Sequence, residues 1–141
     1  MIEVAEFRIE DQFSGLEPVT EVFSSAEQLA GPAYTLRANG QVIACCGIQL
    51  MWEGVGEAWA IVSAEFGQHP RALQKMRAVV DWMIIKHRLR RIHAHMFASW
   101  VAGLRFARRF GLRPEHQEPL RGYFPNGDDC VVFVRFEPCQ R

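Results

Sequence analysis

The sequence predicts a single α/β domain spanning residues 1–141, with a central mixed sheet and helices on both of its faces. Two observations support this. Hairpin signals fill the first half of the chain, whereas the second half reads as strand, helix, strand, helix and strand. Hairpins give antiparallel strands and a strand–helix–strand unit gives a parallel pair, so together they predict a mixed sheet.

The segment from Gly56 to Arg88 organises this prediction. Residues 58–62 are apolar and read as a buried strand, and residues 63–69 interrupt the pattern. Pro70 suits the first position of a helix, where its missing N–H costs nothing. The stripe that follows has helical spacing and consists of Leu73, Met76, Val80, Met83, Ile84 and His87. A loop that opens onto a helix N-terminus in this way is suited to binding an anion.

The remaining elements follow from periodicity and turn signals. Asn39-Gly40 predicts a hairpin between strands at 34–37 and 41–51, and Glu53-Gly54 predicts a second hairpin. The other predicted elements are a strand at 2–8, one or two short helices within 10–31, a strand at 91–97, a helix at 100–110, an irregular strand at 112–124 and a strand at 130–136.

Composition excludes several classes of protein. Hydrophobic residues make up 49% of the chain, which is too many for a disordered protein, and no apolar run approaches the roughly 20 residues of a membrane span. The N-terminus is acidic where a signal peptide would be basic. The four cysteines form no metal-binding or disulfide pattern, so we expect reduced thiols, no metal site and a cytoplasmic protein.

The net charge of zero conceals a division along the chain. Residues 1–70 contain two Lys or Arg against ten acidic residues, and residues 71–121 contain twelve against three. A basic middle of this kind suits a polyanionic ligand, a nucleic acid or attraction between the two halves of the chain.

Several phrases resemble the GNAT superfamily of N-acyltransferases, and they occur in the family's order over almost the whole chain. They read NGQVIACCGIQ, GEAWAIVS, RRIHAHMF, GLRFARRFGLRPE and LRGYFPNGDDCVVFVRF. GEAWAIVS with the segment from GLR to VRF looks most like the small GNAT-like proteins of bacteriophages. The resemblance implies a GNAT fold and transfer of an acetyl group from acetyl-CoA, as cosubstrate, to a primary amine of a protein or small molecule. A phage-encoded member would act in the host cytoplasm.

The resemblance also implies a site. Glu57 corresponds to the base of many members, and Tyr123 is a candidate to replace their tyrosine acid, whose position is Ala107 here. The family's phosphate loop corresponds to residues 67–72, although Pro70 stands where a glycine N–H would donate. The residues expected to contact acetyl-CoA are Ile61, Val62, Ser63, Gly67, Gln68, His69, Arg71, Ala72, Ser99 and Phe106.

Other interpretations remain open from the sequence. Ser99 also suits the N-cap of the helix that follows it. The changed loop and Ala107 favour a GNAT-fold protein without catalysis, serving as a binding or structural module of a phage. Nucleic acid is not an expected partner, since the arginines are not interleaved with aromatic residues in a known motif. A membrane is also not expected, and a homodimer is an alternative that the sequence leaves open.

Overall fold

The computed structural model describes residues 1–8, 10–11, 17–18 and 31–137. Its elements, in chain order, are β1 (Ile2–Glu6), β2 (Glu17–Pro18), β3 (Ala33–Ala38), β4 (Gln41–Trp52), β5 (Val55–Val62), α1 (Pro70–Lys86), β6 (Arg91–Phe97), α2 (Val101–Arg108), β7 (Arg113–Pro114) and β8 (Cys130–Phe136). A short 3-10 turn, Phe66–Gln68, precedes α1. No helix in these described ranges is both long and apolar enough to cross a membrane.

The strands form one mixed sheet in the order β1-β3-β4-β5-β6-β8-β7, with β2 pairing β5 outside this sequence. Only β5 and β6 run parallel, and all other described pairs are antiparallel. The predicted α/β class with a mixed sheet is therefore confirmed. The helices predicted within residues 10–31 fall largely on residues 12–16 and 19–30, which lie outside the described residues.

The turn chemistry of the first hairpin agrees with its sequence. Asn39 and Gly40 both have positive φ, at 52° and 82°. A two-residue turn of this kind follows the twist of the strands it joins, which explains why Asn-Gly predicts the hairpin. The predicted strand at 112–124 is wrong over most of its length, because only Arg113–Pro114 forms a strand there. Pro119 has no N–H for a ladder.

Both described helices pack on one face of the sheet. Met76 and Met83 of α1 and Ala107 of α2 belong to one buried cluster with Ile92 and Met96 of β6. Strand β6 alternates strictly, since Ile92, Ala94 and Met96 are buried and the residues between them are partly exposed. Arg91, His93, His95 and Phe97 therefore lie on the opposite face.

The opposite face has a smaller cluster in which Trp59 packs with Val42 and Cys45. The indole lies across the neighbouring strand at Gly47, its direct partner in the sheet. A Cβ at Gly47 would lie 2.7 Å from Nε1 of Trp59 and 2.7 Å from the carbonyl oxygen of Pro32. Glycine is required here because any side chain would displace the buried indole or the backbone of Pro32.

We predict that Gly47→Ala destabilises the fold by about 1–3 kcal/mol, because an added methyl in a packed region forces its neighbours to move. Gly67→Ala is the matched control, since a Cβ at Gly67 would meet no atom within 4 Å. Urea unfolding followed by tryptophan fluorescence measures both variants. A Gly47→Ala variant as stable as Gly67→Ala would contradict the packing of Trp59 described above.

Candidate functional site

The parallel pair at the centre of the sheet is short. Strands β5 and β6 pair only at Val55 with Arg91, Gly56 with Ile92 and Glu57 with His93. Beyond these pairs, β5 continues along β4 as far as Val62, and β6 continues along β8. The two strands therefore part directly after Glu57 and leave a cleft in the sheet.

A carboxylate and an imidazole meet where the strands part. Oε1 of Glu57 lies 2.5 Å from Nδ1 of His95. The side chain of Glu57 is 8% exposed, whereas that of His95 is 25% exposed. Glu57 contacts Nδ1 of His95, so Nε2 is the ring nitrogen that Glu57 does not use. With the carboxylate ionised, Nδ1 carries the hydrogen, so Nε2 of a neutral ring accepts a proton.

His93 lies beside this pair, with its ring centroid 5.8 Å from that of His95. Burial lowers the pKa of His93 and outweighs the attraction of the nearby Glu57 carboxylate, which acts in the opposite direction. His93 is consequently neutral near pH 7. Its Nδ1 accepts a hydrogen bond from Nε of Arg91 at 3.3 Å, and Arg91 also forms a bidentate ion pair with Glu115.

The ring of Tyr123 stacks on the ring of His95. The two rings are stacked, with centroids 5.5 Å apart and planes inclined by 9°. Tyr123 comes from the segment before β8 and is 50% exposed. The structure therefore brings together Glu57 and Tyr123, the two predicted catalytic residues, through His95.

The loop before α1 already uses most of its backbone donors. The N–H groups of Phe66, Gln68, His69 and Ala72 donate to the carbonyl oxygens of Ser63, Glu65, Phe66 and His69. Pro70 is the first residue of α1 and has no N–H. A phosphate at this helix end would therefore depend on side chains and on the remaining amides of Gly67 and Arg71.

Side chains around this helix end are basic. A groove of about 470 Å³ separates the loop and the first turn of α1 from α2, and it is lined by His69, Leu73, Arg105, Phe106 and Arg109, among others. Arg71 lines a second, adjoining hollow. Within the described ranges, no ion pair involves Arg71, Arg105 or Arg109. Arg105 and Arg109 belong to a set of arginines, with Arg88, Arg90, Arg91 and Arg108, of which the sequence predicts one or two to pair with the 3′-phosphate of CoA. The sequence could not select these two, because which face of α2 meets the loop is a tertiary property.

Two predicted contact residues are partly engaged within the chain. Strand β2 pairs with Ile61 and Val62, and because β4 takes the other edge of β5, β2 lies on the side of the cleft. Among the described strands, none pairs with that edge between Ala58 and Ala60. Ser63 follows directly, and its buried hydroxyl oxygen has no hydrogen-bond partner in the described part of the chain.

Ser99 does not cap α2, so that alternative is wrong. The N-cap residue is Trp100, which makes no side-chain capping bond. The hydroxyl of Ser99 instead donates to Asp128 at 2.7 Å and is exposed. Phe106 lies deeper, with its ring edge-on to Phe66 at a centroid distance of 5.8 Å.

The thiols offer no alternative nucleophile among the described residues. Burial raises the pKa of Cys45 to about 11 and that of Cys46 to about 12. Burial also raises the pKa of Cys130, with the Glu57 carboxylate acting in the same direction. These thiols stay protonated near neutral pH and are therefore poor nucleophiles. In the same ranges, no three His, Cys, Asp or Glu side chains are grouped as metal ligands.

Comparison with known proteins gives a uniform result for the fold. No family model matches the sequence, and no curated protein matches it. Among solved structures, a GNAT-family acetyltransferase from Streptococcus pneumoniae superposes with a TM-score of 0.71 at 11% identity, over 98% of this chain and 100% of that one. The ribosomal-protein-S18-alanine N-acetyltransferase of Escherichia coli gives 0.69 at 14% identity, over 95% and 92%.

A third neighbour is the spermidine/spermine N-acetyltransferase of Vibrio cholerae, with a TM-score of 0.70 at 13% identity, over 96% of this chain and 92% of that one. At such identities the likeness concerns the backbone and not the reaction. The neighbours cover nearly the whole chain, and the strand order and the cleft were observed independently of them. The protein therefore has the fold of the GNAT acetyltransferases.

Proposed function

We propose that the protein is an N-acetyltransferase that moves an acetyl group from acetyl-CoA to a primary amine of a protein or small molecule. The observation that carries this proposal is the position of the Glu57–His95 pair, directly where β5 and β6 part. For a thioester held in the cleft, the helices and the basic groove lie on one side of the sheet. The carboxylate–imidazole pair lies on the other side, where an amine can approach.

The chemistry requires a base. An amine with the ordinary pKa of lysine, about 10.4, is protonated at pH 7 and cannot attack a carbonyl carbon until it loses a proton. In the proposed step the amine nitrogen forms a bond to the thioester carbonyl carbon, and the carbon–sulfur bond breaks. The sulfur leaves with the electron pair, and the amine proton passes to the Glu57–His95 pair.

Within the pair, His95 is the more exposed member and Glu57 holds its Nδ1. We therefore assign proton acceptance to Nε2 of His95, with Glu57 fixing the tautomer and stabilising the imidazolium. Direct acceptance by Glu57 is the alternative. Tyr123, stacked on His95, is the proposed acid for the leaving thiolate, because Ala107 supplies no hydroxyl.

The CoA moiety is proposed to lie along the basic groove. Arg71, with Arg105 and Arg109, supplies charge for phosphate oxygens in place of the amides that the loop has already used. Ser63, Gly67, Gln68 and His69 lie around the same helix end, whereas Ala72 is fully buried and its N–H donates to His69, so Ala72 has no exposed group to offer CoA. Val62 and Ile61 complete the cleft wall beside β2.

Two observations favour a second candidate, a GNAT-fold binding or structural protein without catalysis, of the kind associated with phages. The loop amides are engaged within the chain, and β2 takes part of the edge along which a pantetheine arm would pair. The Glu57–His95 pair favours the enzyme, since a binding module needs no buried carboxylate oriented onto an imidazole. An assay for CoA release from acetyl-CoA in the presence of primary amines, including polyamines and N-terminal alanine peptides, tests the proposal.

We predict that Arg71→Glu weakens CoA binding at least tenfold. The change removes a cation and places a negative charge at a helix N-terminus, where it repels phosphate. Calorimetry measures the dissociation constant. Arg88→Glu is the matched control. Arg88 follows the other end of α1, and its substitution changes the net charge by the same amount. Equal affinities for the two variants would contradict CoA binding at this helix end.

We predict that Glu57→Gln lowers turnover at least thirtyfold while CoA affinity stays within threefold, since a base contributes about 10²–10⁴ in rate. The glutamine amide donates to Nδ1 of His95, so Nε2 then carries the hydrogen and cannot accept a proton. Steady-state kinetics with the same amine measures the effect. Glu53→Gln, in the exposed turn before β5, is the control.

His95→Gln separates the two assignments of the base. If His95 accepts the proton, this variant loses as much turnover as Glu57→Gln. A His95→Gln variant that retains most of its turnover would assign the proton to Glu57 directly. Full turnover in both variants would contradict a role for the pair.

A further inference from the structure

An apolar cavity of about 50 Å³ lies between the sheet and the two described helices, at the level where β5 and β6 part. Its walls include Ala58 and Ala60 of β5, Ala94 and Met96 of β6, and Ala107 of α2. Four of these five residues are alanines. The cavity exists because small side chains face one another across diverging strands, and because α2 presents a methyl group there.

The cavity is large enough for several carbon atoms. Its volume of about 50 Å³ exceeds the roughly 10–15 Å³ that a single water-sized group needs. Its lining is almost wholly apolar, which makes it a poor site for water. A void of this kind forgoes dispersion contacts in the core.

The cavity adjoins both the proposed reaction site and the basic groove. Ala58 follows Glu57, the last residue of β5 that pairs with β6. Phe106 lines both this cavity and the basic groove at the start of α1. A thioester whose carbonyl carbon lies beside Glu57 and His95, with its phosphates in the groove, therefore has this cavity next to its acyl group.

We propose that the cavity is an acyl-chain pocket, and that the protein prefers donors with three- or four-carbon acyl groups, propionyl-CoA and butyryl-CoA, over acetyl-CoA. The inference rests on the proposed function and specifies its donor. The pantetheine arm is a poorer occupant, because its two amides would be buried against apolar walls without hydrogen-bond partners. An alkyl chain carries no such cost.

The shape of the cavity sets the expected chain-length dependence. Each methylene buried in the pocket strengthens binding about fourfold, so butyryl-CoA, with two more methylenes, should bind about fifteenfold more tightly than acetyl-CoA. Octanoyl-CoA exceeds the available volume and should lose this gain, because overfilling a packed core forces neighbouring side chains to move.

Calorimetry with CoA, acetyl-CoA, propionyl-CoA, butyryl-CoA and octanoyl-CoA tests the proposal without knowledge of the amine. The expected result is the tightest binding for propionyl-CoA or butyryl-CoA. Acetyl-CoA binding as tightly as, or more tightly than, both would overturn the acyl pocket and leave the proposed acetyltransferase intact. Absence of binding by all five compounds would overturn the proposed function together with the pocket.

Ala107→Leu places three more carbon atoms in the cavity and should abolish the preference, so that butyryl-CoA binds no more tightly than acetyl-CoA. Ala78→Leu, on the exposed side of α1, should keep the preference. Ala60→Val tests the same wall from β5 should the helix variant unfold, and thermal unfolding of each variant identifies folding defects. A preference that survives in folded Ala107→Leu and Ala60→Val would place the acyl chain elsewhere.

Discussion

The parting of β5 from β6 is the constraint on which the remaining structure depends. Each strand is held along its length by an antiparallel partner, β5 by β4 and β6 by β8. Only three parallel pairs join the two halves of the sheet. Because the antiparallel ladders twist as units, the halves diverge once these pairs end, and no described strand pairs with this edge of β5 between Ala58 and Ala60.

This divergence sets the positions of the chemical groups. It places Glu57 and His95 on one face, at the end of the parallel pairing, where they form a hydrogen bond across the two halves. It also places small residues of β5 and β6 opposite α2, which leaves an apolar cavity on the other face. The helices keep the halves together, since Met76 and Ala107 share one core with Ala60 of β5 and Ile92 of β6.

Local features of the sequence predicted most of the fold. Periodicity predicted the strand at residues 91–97 with its exact ends. Asn39-Gly40 predicted the first hairpin, and Pro70 the start of α1. The prediction of an irregular strand at 112–124, interrupted by Pro114 and Pro119, was wrong over most of its length, because the residues after Pro114 form mainly bends and turns.

The candidate site was less accessible to sequence reasoning, for a physical reason. Glu57 and His95 are 38 residues apart, and their contact depends on the register of a parallel pair that no local pattern encodes. The pairing of β2 with Ile61 and Val62 is likewise a tertiary contact. The 3-10 turn that uses the loop amides is local, but no periodic pattern marks it. Resemblance placed Glu57 and Tyr123 near the reaction, and the fold supplied His95 between them.

The central claim is that the cleft between β5 and β6 receives an acyl thioester. Amide NMR of the ¹⁵N-labelled protein during titration with acetyl-CoA tests it most directly. The account predicts the largest amide shift changes at Ala58, Trp59 and Ala60, at residues 67–69 and 71–72, and at Phe106, with saturation. Saturable changes confined to another surface, or none at millimolar acetyl-CoA, would contradict it.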